Sequence, residues 1–337
     1  MPDCFGSPTY RQFEFSKITL IEGDIEILRK ILESNDAWVV QCAVLAVRSV
    51  AKNNSRLAID LLKLVRFELS SLVTHQVFMF FLDKSEISFE LLNQEDIEHF
   101  LKNLMLLPEV DDYWIDSFLS NSSKYYPWHT AKFFMERVEY AAITKDWNYR
   151  PCNYAIYRHK PLFFRQFPDC GTLVVYTVQW MKSRPLDNYR FHHLAAELFA
   201  TMFYPFDDEI IKFLQEWLNI ATLNDIRIIS GILKKAGSDF VFTQRSFVAG
   251  FLEKVKPYGK KQLDSNISDL YGAAISGSWS GTLGEPSEKH LRLKRESEKA
   301  LHEIQRFSAA YRLYEDIYKD AEEEIKRSLQ EREKLDN

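Results

Sequence analysis

Asp36-Ala-Trp-Val-Val-Gln-Cys-Ala-Val-Leu-Ala-Val-Arg-Ser-Val-Ala51 is the stretch that decides the fold class. Val39, Cys42, Ala43, Ala46, Val47 and Val50 recur at i, i+3, i+4 and i+7, the spacing of one helix face. Cys42 lies inside this apolar run and is expected in the core. Asn53-Asn54 ends the run, and Ser55 restarts the chain into a segment reaching Leu64. Just upstream, Ile25, Ile27, Leu28, Ile31 and Leu32 share a face over Asp24–Ser34, with Asp24 as the expected N-cap.

The same period continues along the chain. Helical segments are expected near 69–82, 95–107, 112–121, 127–143, 170–183, 188–203, 207–220, 223–236, 243–256 and 260–274. The connections are short and carry Pro or Asn/Asp/Ser, as at Leu107-Pro108, Arg184-Pro185 and Tyr204-Pro205. Pro127 suits a first helical turn, where its missing N–H costs nothing. Only 11 Gly and 11 Pro serve 337 residues, too few turn residues for a sandwich, a barrel or a Rossmann sheet. With 46% hydrophobic residues the chain can fill a core, so disorder over its length is excluded.

Two stretches break the pattern. Residues 144–168 are rich in aromatics and Pro and are expected to connect two halves. Residues 275–287, Ile-Ser-Gly-Ser-Trp-Ser-Gly-Thr-Leu-Gly-Glu-Pro-Ser, hold three of the four glycines that fall between 272 and 284. Beyond them, 26 of the last 57 residues are charged, over expected helices at 286–307 and 309–333. The expected organisation is an arm at 1–20, helical repeats at 21–143, a connector at 144–168 and repeats at 169–274. The Gly-rich loop at 275–287 then leads into charged helices at 288–337.

Helix pairs without strands point to an all-α, irregular HEAT-like α-solenoid closed by a charged C-terminal hairpin. Asp36–Ala51 is similar to the second helix of a HEAT repeat: an early Asp begins it, small and β-branched residues pack, and Arg48 sits late. The C-terminal half, about residues 165–330, resembles helical modules of bacterial antiviral-defence and STAND-NTPase systems. The features concerned are Phe167-Pro168, Phe240-Val241-Phe242, Ile275-Ser276-Gly277, Gly284-Glu285-Pro286 and Tyr311–Tyr318. No GxxxxGK[ST] occurs, so the resemblance implies a helical partner or regulatory module without the nucleotide-binding part.

Chemistry-bearing patterns are sparse. The chain has no HExxH, GxSxG or GxGxxG, and its four cysteines have no close CxxC spacing. Cys152 and His159 have ligand character without a supporting second pair. His193 and Glu197 share a helix face at i, i+4 and would need further ligands to hold a metal. Glu136 and Glu139 stand at i, i+3 beside Lys132 and Arg137, the composition of a solvated face. No catalytic, cofactor or metal residue is therefore assigned.

The leading expectation is a non-enzymatic, cytoplasmic scaffold, sensor or regulatory subunit that binds a protein partner, with no cofactor and no membrane span. Trp279 is its expected anchor, presented by Gly277, Gly281 and Gly284. A net charge of −5 argues against a general nucleic-acid coat. The alternative is nucleic-acid binding by two basic clusters, Lys254, Lys256, Lys260 and Lys261 with Lys289, Arg292, Lys294 and Arg295, provided that the fold makes them neighbours. A helical enzyme whose site is assembled from distant helices is the third reading.

Overall fold

A computed structural model describes residues 22–82, 85–144, 146–152, 160–276 and 285–335. Among them every regular element is helical, with sixteen α-helices and a few single 3-10 turns. No described helix is long and apolar enough to cross a membrane. The described residues fall into two compact units.

The first unit contains α1 (Glu22–Leu32), α2 (Ala37–Asn53), α3 (Ser55–Leu62), α4 (Ser71–Phe78), α5 (Gln94–Leu104), α6 (Tyr113–Tyr125) and the start of α7 (Pro127–Thr144), as far as Arg137. Asp36 caps α2 by accepting from the N–H groups of Trp38 and Val39. Asn93 and Asp96 form a reciprocal capping box on α5. Asp24 lies in the first turn of α1, not at its cap, because the helix already includes Glu22. The core is a cluster of phenylalanines. Phe78 packs on Phe118 with ring centroids 4.6 Å apart, and Phe81 on Phe100 at 5.3 Å.

The buried face of α2 is Val40, Ala43, Val44, Val47, Val50 and Ala51. This is one step round from the expected strip, and it leaves Trp38, Val39 and Cys42 exposed. In a helix this apolar, two phases satisfy the same spacing, and packing against α1, α3 and α4 selects one. Cys42 is therefore not a core thiol. It should react with a maleimide in the folded protein well before the buried Cys170 does. Peptide mapping after timed labelling checks this, and equal protection of the two thiols would contradict it.

Arg137 also departs from expectation. It is fully buried, not part of a solvated face. Its Nε donates to Pro151 O at 3.0 Å, its Nη1 to Leu104 O and Leu107 O at 2.8 and 2.9 Å, and its Nη2 to Arg150 O at 2.7 Å and Pro108 O at 3.4 Å. The Tyr149 ring lies 4.4 Å from the guanidinium carbon. One side chain thus closes the C-terminal turn of α5 and the loop at 146–152. Burial lowers its pKa to about 10, so it remains a cation at neutral pH.

The second unit begins at Val138 in α7. It contains α8 (Cys170–Lys182), α9 (Tyr189–Phe203), α10 (Asp208–Asn219), α11 (Leu223–Lys234), α12 (Ser238–Thr243), α13 (Arg245–Val255), α14 (Lys260–Ile275), α15 (Glu288–Glu303) and α16 (Ala309–Leu335). Most expected segments appear within two residues of their bounds. The exceptions are the segment expected over 286–307, which ends at Glu303, and α12, whose Phe240, Val241 and Phe242 are all buried. Three successive core residues show no 3.6 period, so this short helix was hidden within its neighbour's pattern. Consecutive helices pack as α8 on α9, α10 on α11, α13 on α14 and α15 on α16. A second series runs across the pairs, with α9 on α11, α11 on α14 and α14 on α16. Buried Tyr314 of α16 donates its hydroxyl to Val241 O at 2.5 Å and holds the last hairpin against α12.

Candidate functional site

Of the expected partner-binding residues, Trp279, Gly277, Gly281 and Gly284 lie outside the described residues, as does His159. The two basic clusters lie at opposite ends of α14. Lys260 and Lys261 open that helix, whereas Lys289 and Arg292 border a small cavity with Ala274 and Ser276 at its far end. At 1.5 Å per residue the separation along the helix is about 20 Å. The second cluster is also largely neutralised. Lys294 pairs with Glu322 at 3.0 Å, Arg295 with Glu296 at 3.4 Å, and Arg292 with Asp239. In the first, Lys254 donates to Asn219 O at 2.9 Å and Lys256 pairs with Glu253 at 3.3 Å. Lys260 and Lys261 are exposed.

The carboxylate candidates are held by cations and indoles. Lys235 approaches Glu197 at 3.0 Å, closer than His193 at 3.7 Å. Burial pushes the Glu197 carboxyl up while Lys235 opposes that, and burial with the Lys235 and Lys234 charges pushes His193 down. A cation in this position works against a metal. Among the described residues, no group of three or more His, Cys, Asp or Glu is placed to hold one. Glu136 pairs loosely with Lys132 at 3.9 Å. Glu139 accepts from Trp180 Nε1 at 2.8 Å and Arg184 Nη2 at 2.6 Å. These contacts are those of structural ion pairs.

Two surface features of the second unit are less easily explained by packing. The first is a groove of about 470 Å³ between α8 and α10, lined by Val175, Val178, Phe213, Trp217 and Ile220. Ile220 is 82% exposed, and Val175 and Tyr176 are also open to solvent. One wall is fixed by Asp225, the N3 residue of the α11 capping box. It accepts from Lys182 Nζ at 2.7 Å and Trp217 Nε1 at 3.1 Å. Burial alone would raise the Asp225 pKa, but Lys182, Thr222 and Trp217 outweigh it and hold the carboxyl at about 2. Lys182 Nζ also lies 5.7 Å from the Trp217 ring, so the indole is locked from its edge and from its face.

The second feature is the turn between α15 and α16. The expected helix at 286–307 ends instead at Glu303, which leaves Phe307 in the turn. Phe307 has φ of 65° and is 96% exposed. The left-handed conformation costs a non-glycine residue about 1–2 kcal/mol. A groove of about 460 Å³ adjoins it, bordered by Lys256, Arg306, Tyr311 and Arg312 over Leu263 and Ile267.

No protein-family model, curated protein or solved structure matches this chain. Function therefore has to be argued from these surfaces. Neither groove stood out in the sequence. Ile220 and Val175 look like ordinary members of apolar faces, and only the fold leaves them uncovered. Arg306-Phe307 reads as the tail of a helix until the position of Glu303 as its last residue is known.

Proposed function

We propose that the chain is a non-enzymatic protein-binding module, an irregular HEAT-like array of antiparallel helix pairs that docks a partner in the α8–α10 groove. The series of helix pairs and the second series across them support the array. The observation that carries the docking role is the exposed apolar rim, Ile220 above all, beside an indole held rigid by Asp225 and Lys182. A pre-set aromatic wall needs little ordering on binding and suits an apolar anchor from the partner. An amphipathic helix, presenting residues at i, i+3 and i+4, fits a groove between two helices.

Ile220→Glu places a charge on this rim without removing core packing, because Ile220 is already 82% exposed. Quantitative pull-down from the source cell should recover a partner with the wild type and lose it by tenfold or more with Ile220→Glu, while circular dichroism is unchanged. Identical recovery with both proteins would refute the site. The identity of the recovered partner tests the defence setting that the resemblance implies.

A further inference from the structure

Phe307 is an aromatic ring in water on a left-handed backbone, and among the described residues of the second unit nothing packs over it. The groove beside it is bordered by three cations, Lys256, Arg306 and Arg312, and by one carboxylate, Glu315. Partial neutralisation is visible. Arg312 pairs with Asp264 at 2.6 Å and with Asp316 at 3.9 Å, Lys256 with Glu253, and Glu315 with Lys319 at 3.2 Å. Arg306, Lys260 and Lys261 have no ion pair among the described residues, and all three are exposed. Lys260 stands three residues before Leu263 and seven before Ile267, so it lies on the α14 face that floors the groove. Arg306 and Lys260 are thus cations at the groove with no ion-pair partner among the described residues, on a chain whose net charge is −5. Ser308 already caps α16 by accepting from Tyr311 N at 3.1 Å, so the attraction comes from side chains and not from an open helix end.

We propose that this groove binds a short stretch of single-stranded nucleic acid, with one base stacked on Phe307 and its phosphates on Arg306, Lys256 and Lys260. Bases offer a π-face that every sequence shares, and a charged groove follows the backbone. A duplex hides those faces, which makes a single strand the better fit. An anionic vesicle would use the cations but bury only one large apolar side chain, a weak anchor. An acidic peptide would use the cations and leave the ring without a role. The site shares no residue with the α8–α10 groove and does not depend on the protein-docking proposal.

The test is fluorescence anisotropy of the full chain with a labelled 12-nucleotide single strand at 50 mM salt, beside the matching duplex. Single-strand binding should weaken linearly on a log–log plot against salt. Phe307→Ala should weaken it on the order of tenfold and leave the salt slope unchanged. Arg306→Glu with Lys260→Glu should weaken it and flatten the slope. All of these positions are exposed, and a thermal melt verifies that each variant folds. Four outcomes would overturn the proposal: no binding at low salt, equal binding of duplex and single strand, indifference to Phe307→Ala, or binding of phosphatidylserine vesicles or a poly-glutamate peptide without the oligonucleotide.

Discussion

Arg137→Leu is expected to cost the first unit on the order of 4 kcal/mol, a large part of the roughly 5–15 kcal/mol that holds a typical domain together. The guanidinium donates to five backbone carbonyls, those of Leu104, Leu107, Pro108, Arg150 and Pro151. Among the described residues no carboxylate shares the site, so this is not an ion pair that two apolar residues could replace. Where a buried pair is exchanged as a whole for apolar groups, the desolvation penalty disappears with it and stability often survives. Here the acceptors are main chain and stay in place. Each one left buried without a donor costs about 1–3 kcal/mol, reduced where water enters. Arg137→Lys is expected to fall between, because one ammonium offers three donors where the fork offers five. Urea unfolding followed by near-ultraviolet circular dichroism measures both variants. A loss below about 1 kcal/mol for Arg137→Leu would mean that the carbonyls find other partners and that the hub is dispensable.

Arg137 also marks the limit of what could be read from the chain. Its neighbours Lys132 and Glu136 are polar, and on a helix such company implies a wet face. Burial of the arginine depends on the carbonyl ends of α5 and of the loop at 146–152, which are distant in sequence. Helix existence was legible because it rests on local period, and Asp36, Asn54 and Pro127 sit where caps and first turns need them. Helix phase was not. In α2 almost every position is apolar, so Val40 and Val39 compete equally until neighbours choose. The candidate surfaces were hidden for a related reason. Exposure of Ile220 and Phe307 is a property of what fails to cover them, and the chain does not encode an absence at either residue. The basic cluster at 254–261 was visible, but its reinforcement by Arg306 and Arg312 required the turn that ends α15 at Glu303.

Acidification should unfold the first unit between about pH 4 and pH 2, and Asp96 should be a main cause. Its carboxylate is fully buried and accepts from Arg56 at 2.5 and 2.8 Å and from Lys63 at 2.9 Å, while also closing the capping box through Asn93 N at 3.1 Å. Burial works to raise its pKa, but these four donors prevail and lower it from 3.8 to about 2. A carboxyl whose folded pKa lies below its unfolded value stabilises the protein above the unfolded value, near 3.8. That contribution is lost as the pH falls through about 2. The shift corresponds to about 2 kcal/mol, and partial exposure of Arg56 makes it salt-sensitive. Asp225 is lowered in the same way in the second unit, but there Glu197 is shifted upward and acts with the opposite sign, so the first unit gives the cleaner reading. Asp96→Asn should therefore be destabilised by about 2 kcal/mol at pH 7 and should meet the wild type near pH 2. Urea midpoints at a series of pH values decide the matter. Parallel curves for the two proteins would show that Asp96 titrates normally and that its three cationic hydrogen bonds contribute nothing net to the fold.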